Sequence, residues 1–188
     1  MKLLIVEGLD RCGKDTIMQR LMSEYPHFIS SHFGFPKGDT NEEKHEYQIR
    51  SFTKEFAIQK QIRQTLGVYD FSDGLYTWNR SHIGECVYGP IYRGKDPDWI
   101  FDMEKFHFED DDDVYLLYLY ADIEFLLNQD DGKSFTTDIN KKRTEARLFE
   151  TAVNRSIIKN KLKIKVNNED EYVNPEKIYF LVKHFLSI

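Results

Sequence analysis

Apolar residues along this chain form short continuous runs that alternate with stretches of helical spacing. The run at 3–6 is entirely apolar and ends just before Gly8, which is typical of a buried parallel strand. Such runs predict strands at 3–6, 27–33, 75–78, 114–120 and 163–166. Apolar residues at helical spacing predict helices at 13–25, 42–66, from 122 onward, 140–161 and 175–186.

Strands that alternate with helices predict an α/β fold, here a three-layer α/β/α sandwich with a five-stranded parallel sheet. The 188 residues contain no internal repeat and no linker, so we expect a single domain over 1–188. A polar stretch at 129–138 separates two of the predicted helices.

Charge and cysteine content narrow the class of protein. A net charge of −6 argues against general nucleic-acid binding, so a charged small ligand would need a local positive pocket. Cys12 and Cys86 give neither a disulfide framework nor a metal-ligand spacing. No segment has the pattern of a signal peptide or the length of a membrane span, so we expect a cytoplasmic protein that does not bind membranes.

The segment GLDRCGKDT, residues 8–16, follows the first predicted strand and begins the first predicted helix. In a P-loop, glycines let backbone N–H groups surround phosphates, a lysine reaches the β and γ phosphates, and the helix N-terminus adds partial positive charge. An incidental glycine-rich turn is the alternative, which the flanking strand and helix disfavour. We therefore expect the ATP phosphates at Gly8, Arg11, Cys12, Gly13, Lys14, Asp15 and Thr16.

The residue after the lysine departs from the P-loop pattern. Ser or Thr is usual there because its hydroxyl binds Mg²⁺, whereas this chain has Asp15 followed by Thr16. A carboxylate is also a good Mg²⁺ ligand, but its charge repels a polyphosphate unless the metal is bound. We predict that Mg²⁺ binds at Asp15 and Thr16.

Several segments resemble the thymidylate kinases, a family of P-loop nucleoside monophosphate kinases. The loop EGLDRCGKDT is close to the family pattern EGxDxxGKST, and FPK at 35–37, FAIQK at 56–60 and NRS at 79–81 resemble further family segments. The run NRSHIGECVYGPIYRG at 79–94 is similar to small kinases that bacteriophages encode, which would place the protein in the host cytoplasm. The stretch 129–143, with Lys133 and Arg143, resembles the family's lid.

The resemblance implies a role for each matching residue. Lys14 and the loop amides would hold ATP, and Arg11 would stabilise the transferring phosphoryl group. Asp10 would bind the sugar 3′-hydroxyl of the acceptor, and Arg80 its phosphate. The remaining positions are expected around the acceptor or in the lid: Phe35, Phe56 stacked on the base, Lys60 at its edge, Glu85 and Tyr88 in the pocket, and Lys133 and Arg143 closing from the lid.

Asn79 is a second departure, because the family usually has Asp there. The chain has thus lost a carboxylate at 79 and gained one at 15. We hypothesise that Asp15 has taken over part of the role of anchoring the metal.

For some of these residues, the alternative to a role in the site is a purely structural role. Phe56 is nearly as well explained as a core ring, and Arg80 as an ion-pair partner at the end of the sheet. Glu85, Tyr88, Tyr92 and Arg93 follow Arg80 closely and are candidates for the acceptor pocket, but Gly89 and Pro90 also fit a surface turn. The acidic run at 109–113 is best explained as a solvated loop.

The function that the resemblance implies is Mg²⁺-dependent transfer of phosphate from ATP to a deoxynucleoside monophosphate, with dTMP as the leading acceptor. Two alternatives stay open. One is a kinase of a nucleoside or of a 5-hydroxymethyl pyrimidine, free or in DNA, and the other is a nucleotide-binding module without turnover. Similar family members are homodimers, which leaves a homodimer open for this chain.

Overall fold

The computed structural model describes residues 1–69, 73–129, 132, 134 and 136–187. Over these residues the strands are β1 (Lys2–Glu7), β2 (Phe28–His32), β3 (Leu75–Asn79), β4 (Val114–Tyr120), β5 (Asn160–Lys165), β6 (Asn167–Asn168) and β7 (Glu171–Tyr172). The first five form one parallel sheet in the order β2-β3-β1-β4-β5, and β6 and β7 form a short antiparallel hairpin. The five predicted strands are therefore confirmed.

Helices cover both faces of this sheet. In the described part of the chain they are α1 (Lys14–Glu24), α2 (Asn41–Val68), α3 (His82–Arg93), α4 (Asp98–Phe108), α5 (Ile123–Asn128), α6 (Ile139–Arg155) and α7 (Pro175–Leu186). Helix α1 packs against α7, whereas α3 packs against α2, α4 and α6. This is the predicted three-layer α/β sandwich. None of the described helices is both long enough and apolar enough to span a membrane.

The centre of the core is formed by β1 and β4. Leu3, Leu4, Ile5 and Val6 are completely buried, and six of the seven residues of β4 are buried as well. A parallel strand that is covered on both faces must be apolar throughout. That requirement is why these two segments gave the clearest strand patterns in the sequence.

Four segments differ from the sequence prediction. Helices α3 and α4 and the β6–β7 hairpin were not predicted. In α3 the reason is that Gly84, Gly89 and Pro90 are poor helix formers. The helix predicted at 140–161 ends at Arg155. It ends there because the chain turns into an extended conformation at Ser156 and then pairs with β4 from Asn160 onward.

The register of the sheet determines where the candidate site lies. Val6 of β1 pairs with Asn79 of β3. The P-loop, which starts at Gly8, and Arg80 therefore leave the sheet side by side at its carboxyl edge. Ligands of open parallel sheets bind at this edge.

Candidate active site

The P-loop adopts a conformation that only glycine permits at its first position. Gly8 has a φ of 147°, and a Cβ atom there would lie 2.2 Å from the carbonyl oxygen of Leu119. Gly13, with a φ of 76°, precedes the first residue of α1. The loop thus passes directly over the end of β4 and enters α1 with its backbone turned toward the cleft.

Lys14 lies at the centre of this loop. Its Nζ donates hydrogen bonds to the carbonyl oxygens of Gly8 (2.8 Å) and Leu9 (2.7 Å). Burial lowers the pKa of Lys14. Cys12, in the same loop, is fully buried, and burial raises the pKa of its thiol to about 11, so this cysteine is a packing residue rather than a thiolate.

A cavity of about 580 Å³, here called the P-loop cavity, opens above this loop. The wall opposite the loop comes from the β6–β7 hairpin and the start of α7, including Tyr172 and Pro175. The Tyr172 hydroxyl donates to the backbone oxygen of Arg11 (3.0 Å), which ties the hairpin to the loop. The lining residues are Asp10, Arg11, Cys12, Gly13, Lys14, Asp15, Thr16, Ile17, His32, Arg80, Ser134, Val166, Tyr172, Val173, Pro175 and Ile178.

Asp15 and Asn79, the two departures from the family pattern, contact each other directly. The Asn79 Nδ2 donates a hydrogen bond of 2.7 Å to Asp15 Oδ1. The Asn79 Oδ1 is buried and accepts no hydrogen bond from any described residue. Together with the Thr16 hydroxyl, which also lines the P-loop cavity, these side chains place hard oxygen atoms beside the loop. This donor set fits a hydrated Mg²⁺ ion.

A cluster of opposite charges lies beside the loop. The Arg80 Nη2 donates to Asp10 Oδ1 (2.7 Å), and the Lys142 Nζ lies 3.8 Å from Asp10 Oδ2. Lys142 is buried and also lies 3.4 Å from Glu145 Oε2. Arg80 has a φ of 66°, an uncommon backbone conformation for a residue other than glycine. Two cations therefore converge on Asp10.

A second cavity, of about 260 Å³ and here called the α3 cavity, adjoins the first. It shares Asp10, His32 and Arg80 with the P-loop cavity, so the two form one continuous cleft with Arg80 at their junction. Its lining residues are Asp10, His32, Phe33, Gly34, Phe35, Pro36, Gln48, Phe52, Arg80, Ser81, Gly84, Glu85, Tyr88, Tyr92 and Arg93.

Glu7 connects the P-loop to α3 and was not recognised in the sequence. It is buried, and its Oε1 accepts hydrogen bonds from Ser81 Oγ (2.6 Å) and from the Gly84 backbone N–H (3.1 Å). Burial raises the pKa of this carboxyl group. The sequence signal that could have identified Glu7 is an acidic residue at the last position of a buried strand. Because Ser81 and Gly84 follow Arg80 closely in the chain, these bonds help hold the segment that carries Arg80.

His82 and Glu104 form a buried pair behind Arg80. The His82 Nε2 lies 2.7 Å from Glu104 Oε1, and Glu104 also accepts hydrogen bonds from Ser156 Oγ (2.9 Å) and the Ile157 N–H (3.0 Å). None of these four residues lines either cavity. The pair joins α3, α4 and the end of α6, and its role is structural.

The prediction that Phe56 stacks on a base is wrong. Its ring is completely buried in the core, 5.0 Å from Trp78 and 4.9 Å from Phe108 between ring centroids, and has no free face. The buried stripe of α2 passes from the α3 cavity, at Gln48 and Phe52, into the core at Phe56. Phe52, one helical turn earlier, is the residue that lines the cavity.

Lys60 and Arg143 are also absent from both cavities. Lys60 is exposed and lines a different cavity together with Phe106 and His107. Arg143 is exposed and pairs with Glu124 at 2.6 Å. Neighbouring helical residues point about 100° apart, so when Lys142 faces the cleft Arg143 must face outward.

Part of the predicted lid lies outside the described residues. Lys133 is one of these, so its assignment stays a prediction. Of the described part, Ser134 lines the P-loop cavity, and an Arg11 guanidinium nitrogen donates to the backbone oxygen of Gln129. Gly8 lines neither cavity. The other predicted site residues do line the cleft: Gly13, Lys14, Asp15, Thr16, Asp10, Arg11 and Cys12 on the P-loop side, and Phe35, Arg80, Glu85 and Tyr88 on the α3 side.

Comparisons with known proteins agree with this architecture. The thymidylate kinase of Candida albicans is 12% identical, with a TM-score of 0.64, over 99% of this chain and 91% of that one. The thymidylate kinase of Ehrlichia chaffeensis is 13% identical, with a TM-score of 0.58, over 98% of both chains. The YorR protein of Bacillus subtilis, solved in complex with phosphorylated GDP, is 17% identical, with a TM-score of 0.58, over 96% of this chain and 95% of that one.

The chain has the fold of the thymidylate kinases. No protein-family profile and no curated protein matches its sequence. At these identities the likeness establishes the α/β P-loop kinase fold, whereas the reaction must be argued from the site itself.

Proposed function

We propose that this protein transfers the γ-phosphoryl group of ATP to a deoxynucleoside monophosphate, with dTMP as the first candidate acceptor. The observation that supports this best is the continuous cleft: the P-loop cavity and the α3 cavity meet at Arg80 and Asp10. A protein that only bound ATP would not need a second cavity with an arginine at the junction. Two adjoining sites allow a donor and an acceptor phosphate to approach each other.

On the donor side, the loop amides and Lys14 bind the β and γ phosphates. Phosphoryl transfer needs no covalent nucleophile on the protein, because positioning and stabilisation of spread negative charge provide most of the catalysis. Lys14 Nζ donates to two carbonyl oxygens of the loop, which leaves the third N–H of its ammonium group for a phosphate oxygen. Arg11, which also lines this cavity, stabilises the transferring group.

Asp15 and Thr16 would hold Mg²⁺, with Asn79 orienting the Asp15 carboxylate through the bond of 2.7 Å. Among the described residues no group of three His, Cys, Asp or Glu side chains converges as a ligand set. The nucleotide's phosphate oxygens would therefore complete the metal's coordination. When bound, Mg²⁺ neutralises charge on the β and γ phosphates.

On the acceptor side, Arg80 binds the acceptor phosphate and Asp10 the sugar 3′-hydroxyl. Asp10 already accepts a hydrogen bond from Arg80, so one arginine contacts both the acceptor site and the residue that positions the sugar. Lys142 adds a buried cation near the same point. By its resemblance to the lid of the thymidylate kinases, the 129–143 segment would exclude water from the cleft, which would suppress ATP hydrolysis.

The test is a coupled ADP-release assay with ATP and Mg²⁺. It compares dTMP, dUMP, 5-hydroxymethyl-dUMP, dGMP, dCMP, dAMP and thymidine. We expect ADP release that depends on a deoxynucleoside monophosphate. Turnover with thymidine alone would replace the proposal by a nucleoside kinase. Tight ATP binding without turnover on any acceptor would overturn it in favour of a binding module.

A further inference from the structure

Asp10 lies between two cations whose exposure differs greatly. Its Oδ1 accepts the hydrogen bond of 2.7 Å from Arg80, and its Oδ2 lies 3.8 Å from the Lys142 Nζ. The Arg80 side chain is 37% exposed and lines both cavities, whereas the Lys142 side chain is 5% exposed and lines neither. Arg80 can therefore turn toward a ligand in the cleft, whereas Lys142 reaches the cleft only through Asp10.

Glu145 holds Lys142 in this position. Its Oε2 lies 3.4 Å from the Lys142 Nζ, and its Oε1 accepts a hydrogen bond of 2.6 Å from the Tyr92 hydroxyl of α3. Glu145 is completely buried, and its Oε2 accepts no hydrogen bond from any described residue. The Lys142 ammonium group thus lies between two carboxylates, further from each than the distance of about 2.8 Å that is usual for a charge-assisted hydrogen bond.

A lysine at this point costs the fold stability. Lys142 is the fourth residue of α6, which begins at Ile139, and a positive charge near a helix N-terminus is opposed by the helix dipole. The desolvation of a buried ion pair also offsets much of its attraction, so that an apolar side chain is often as stable there. Since the packing of α6 does not require this cation, its position beside Asp10 favours a role in the reaction.

Acceptor binding would change the balance of charge around Asp10. In the structure the carboxylates of Asp10 and Glu145 are matched by the cations of Arg80 and Lys142. An acceptor phosphate at Arg80 competes with Asp10 for the same guanidinium group. Lys142 is then the cation left to Asp10, and a movement of its Nζ by about 1 Å would shorten the ion pair of 3.8 Å to a charge-assisted hydrogen bond.

Resting on the proposed function, we infer that Lys142 is a positioning residue for the acceptor. When Arg80 turns to the acceptor phosphate, the Lys142 ammonium group holds the Asp10 carboxylate in the orientation that accepts the sugar 3′-hydroxyl. A carboxylate has about four lone-pair sites, so Asp10 can accept from the hydroxyl while it pairs with Lys142. Because Lys142 acts through Asp10, its effect is lost with an acceptor that lacks the 3′-hydroxyl.

The test compares dTMP with 3′-deoxythymidine 5′-monophosphate, which lacks only that hydroxyl. In the ADP-release assay, Lys142→Met should lower kcat/KM for dTMP about 30-fold, the size of a lost hydrogen bond to a charged group, and for the 3′-deoxy acceptor less than about threefold. A variant that merely disturbed the packing of α6 would lower both values alike. Lys54→Met, on the exposed face of α2, is the matched control and should change neither. If the assay ranks another monophosphate above dTMP, the same pair is compared with that base.

Thermal melting shows whether Lys142→Met folds, since this change leaves the buried Glu145 without its cation. If it does not fold, Lys142→Met is combined with Glu145→Gln, which removes one buried charge of each sign. The amide oxygen of that glutamine still accepts from the Tyr92 hydroxyl. We expect the same difference between the two acceptors in this double variant, because the contact of Lys142 with Asp10 is lost in both.

Calorimetric titration of the same two acceptors without ATP separates this inference from the proposed function. Weaker binding of dTMP alone in a folded Lys142 variant, without phosphoryl transfer by the natural protein, would support the inference and overturn the proposed function. Phosphoryl transfer with equal losses toward both acceptors, or with no loss, would overturn the inference and support the function. Equal use of the two acceptors by the natural protein would also overturn the inference, and failure to bind either one would overturn both.

Discussion

The P-loop cavity and the α3 cavity meet at Arg80, yet they are built in different ways. The floor of the P-loop cavity is one continuous segment, 10–17, in which backbone groups and Lys14 face the cleft. The α3 cavity is assembled from the segment after β2, from α2 and from α3. A site made by one loop has a compact sequence motif, whereas a site made by side chains from distant segments has none. The pattern of the first is therefore general for P-loop proteins, and that of the second is specific to this chain.

Removing the cation of the P-loop should have the largest effect. Lys14→Met removes the buried ammonium group that is proposed to bind the phosphates, and we expect kcat to fall about 10³-fold. The ADP-release assay measures it. Lys159→Met is the matched control, because Lys159 is exposed and pairs with Asp112 on the surface. A loss of less than tenfold in Lys14→Met would mean that the loop does not act as proposed.

Arg80 tests the junction between the two cavities. Arg80→Lys keeps the charge but loses the planar fork that binds a phosphate through two parallel hydrogen bonds, so kcat/KM for the acceptor should fall about 100-fold. The KM for ATP should change little, because the P-loop remains intact. Arg50→Lys on the exposed part of α2 serves as the control. Equal losses toward ATP and acceptor would contradict a role confined to the acceptor.

The Asp15–Asn79 contact is specific to this P-loop and should give a smaller effect. Asp15→Ser removes the carboxylate that Asn79 holds, and we expect activity to fall about tenfold, as when a group that supports a metal site is lost. Adding Asn79→Asp should recover part of it, because the serine hydroxyl can then donate to the carboxylate at position 79.

Calorimetry provides a readout of this pair that does not depend on turnover. ATP should bind the natural protein more weakly in EDTA than with Mg²⁺, because the Asp15 carboxylate then faces bare phosphates. Asp15→Ser should narrow that difference. If the double variant recovers no activity and the difference in ATP affinity stays the same, Asp15 has no part in metal binding.

The same contrast explains which parts of the fold and of the candidate site could be predicted from the sequence. The strands, most of the helices and the P-loop were predictable because buried parallel strands and phosphate loops impose strict local patterns. Phe56 and Phe52 both lie on the buried face of α2, and only the packing of that helix decides which one reaches the cavity. Likewise, Lys142 and Arg143 are adjacent cations, and the start of α6 decides which one faces inward. Such choices depend on helix phase, which the residue types alone do not reveal.

Glu7 links the P-loop to α3, and replacing it should have the smallest effect, a pH-dependent change in stability. Because burial raises its pKa in the folded state above the ordinary value of 4.5, the folded protein binds a proton more tightly than the unfolded chain. Its contribution is therefore most favourable below the ordinary pKa and is lost as the pH rises through the raised pKa, by at most about 1.4 kcal/mol per pH unit for one proton.

Glu7→Gln should remove this dependence while the amide oxygen still accepts hydrogen bonds from Ser81 and Gly84. Urea unfolding from pH 5 to pH 8 measures it as the difference in the free energy of unfolding between the natural protein and the variant. Glu85, whose pKa is also raised by burial, is present in both proteins and cancels in that difference. A difference that does not vary with pH would show that Glu7 is already ionised at pH 5. In that case the link between the P-loop and α3 would be a charged hydrogen-bond network throughout.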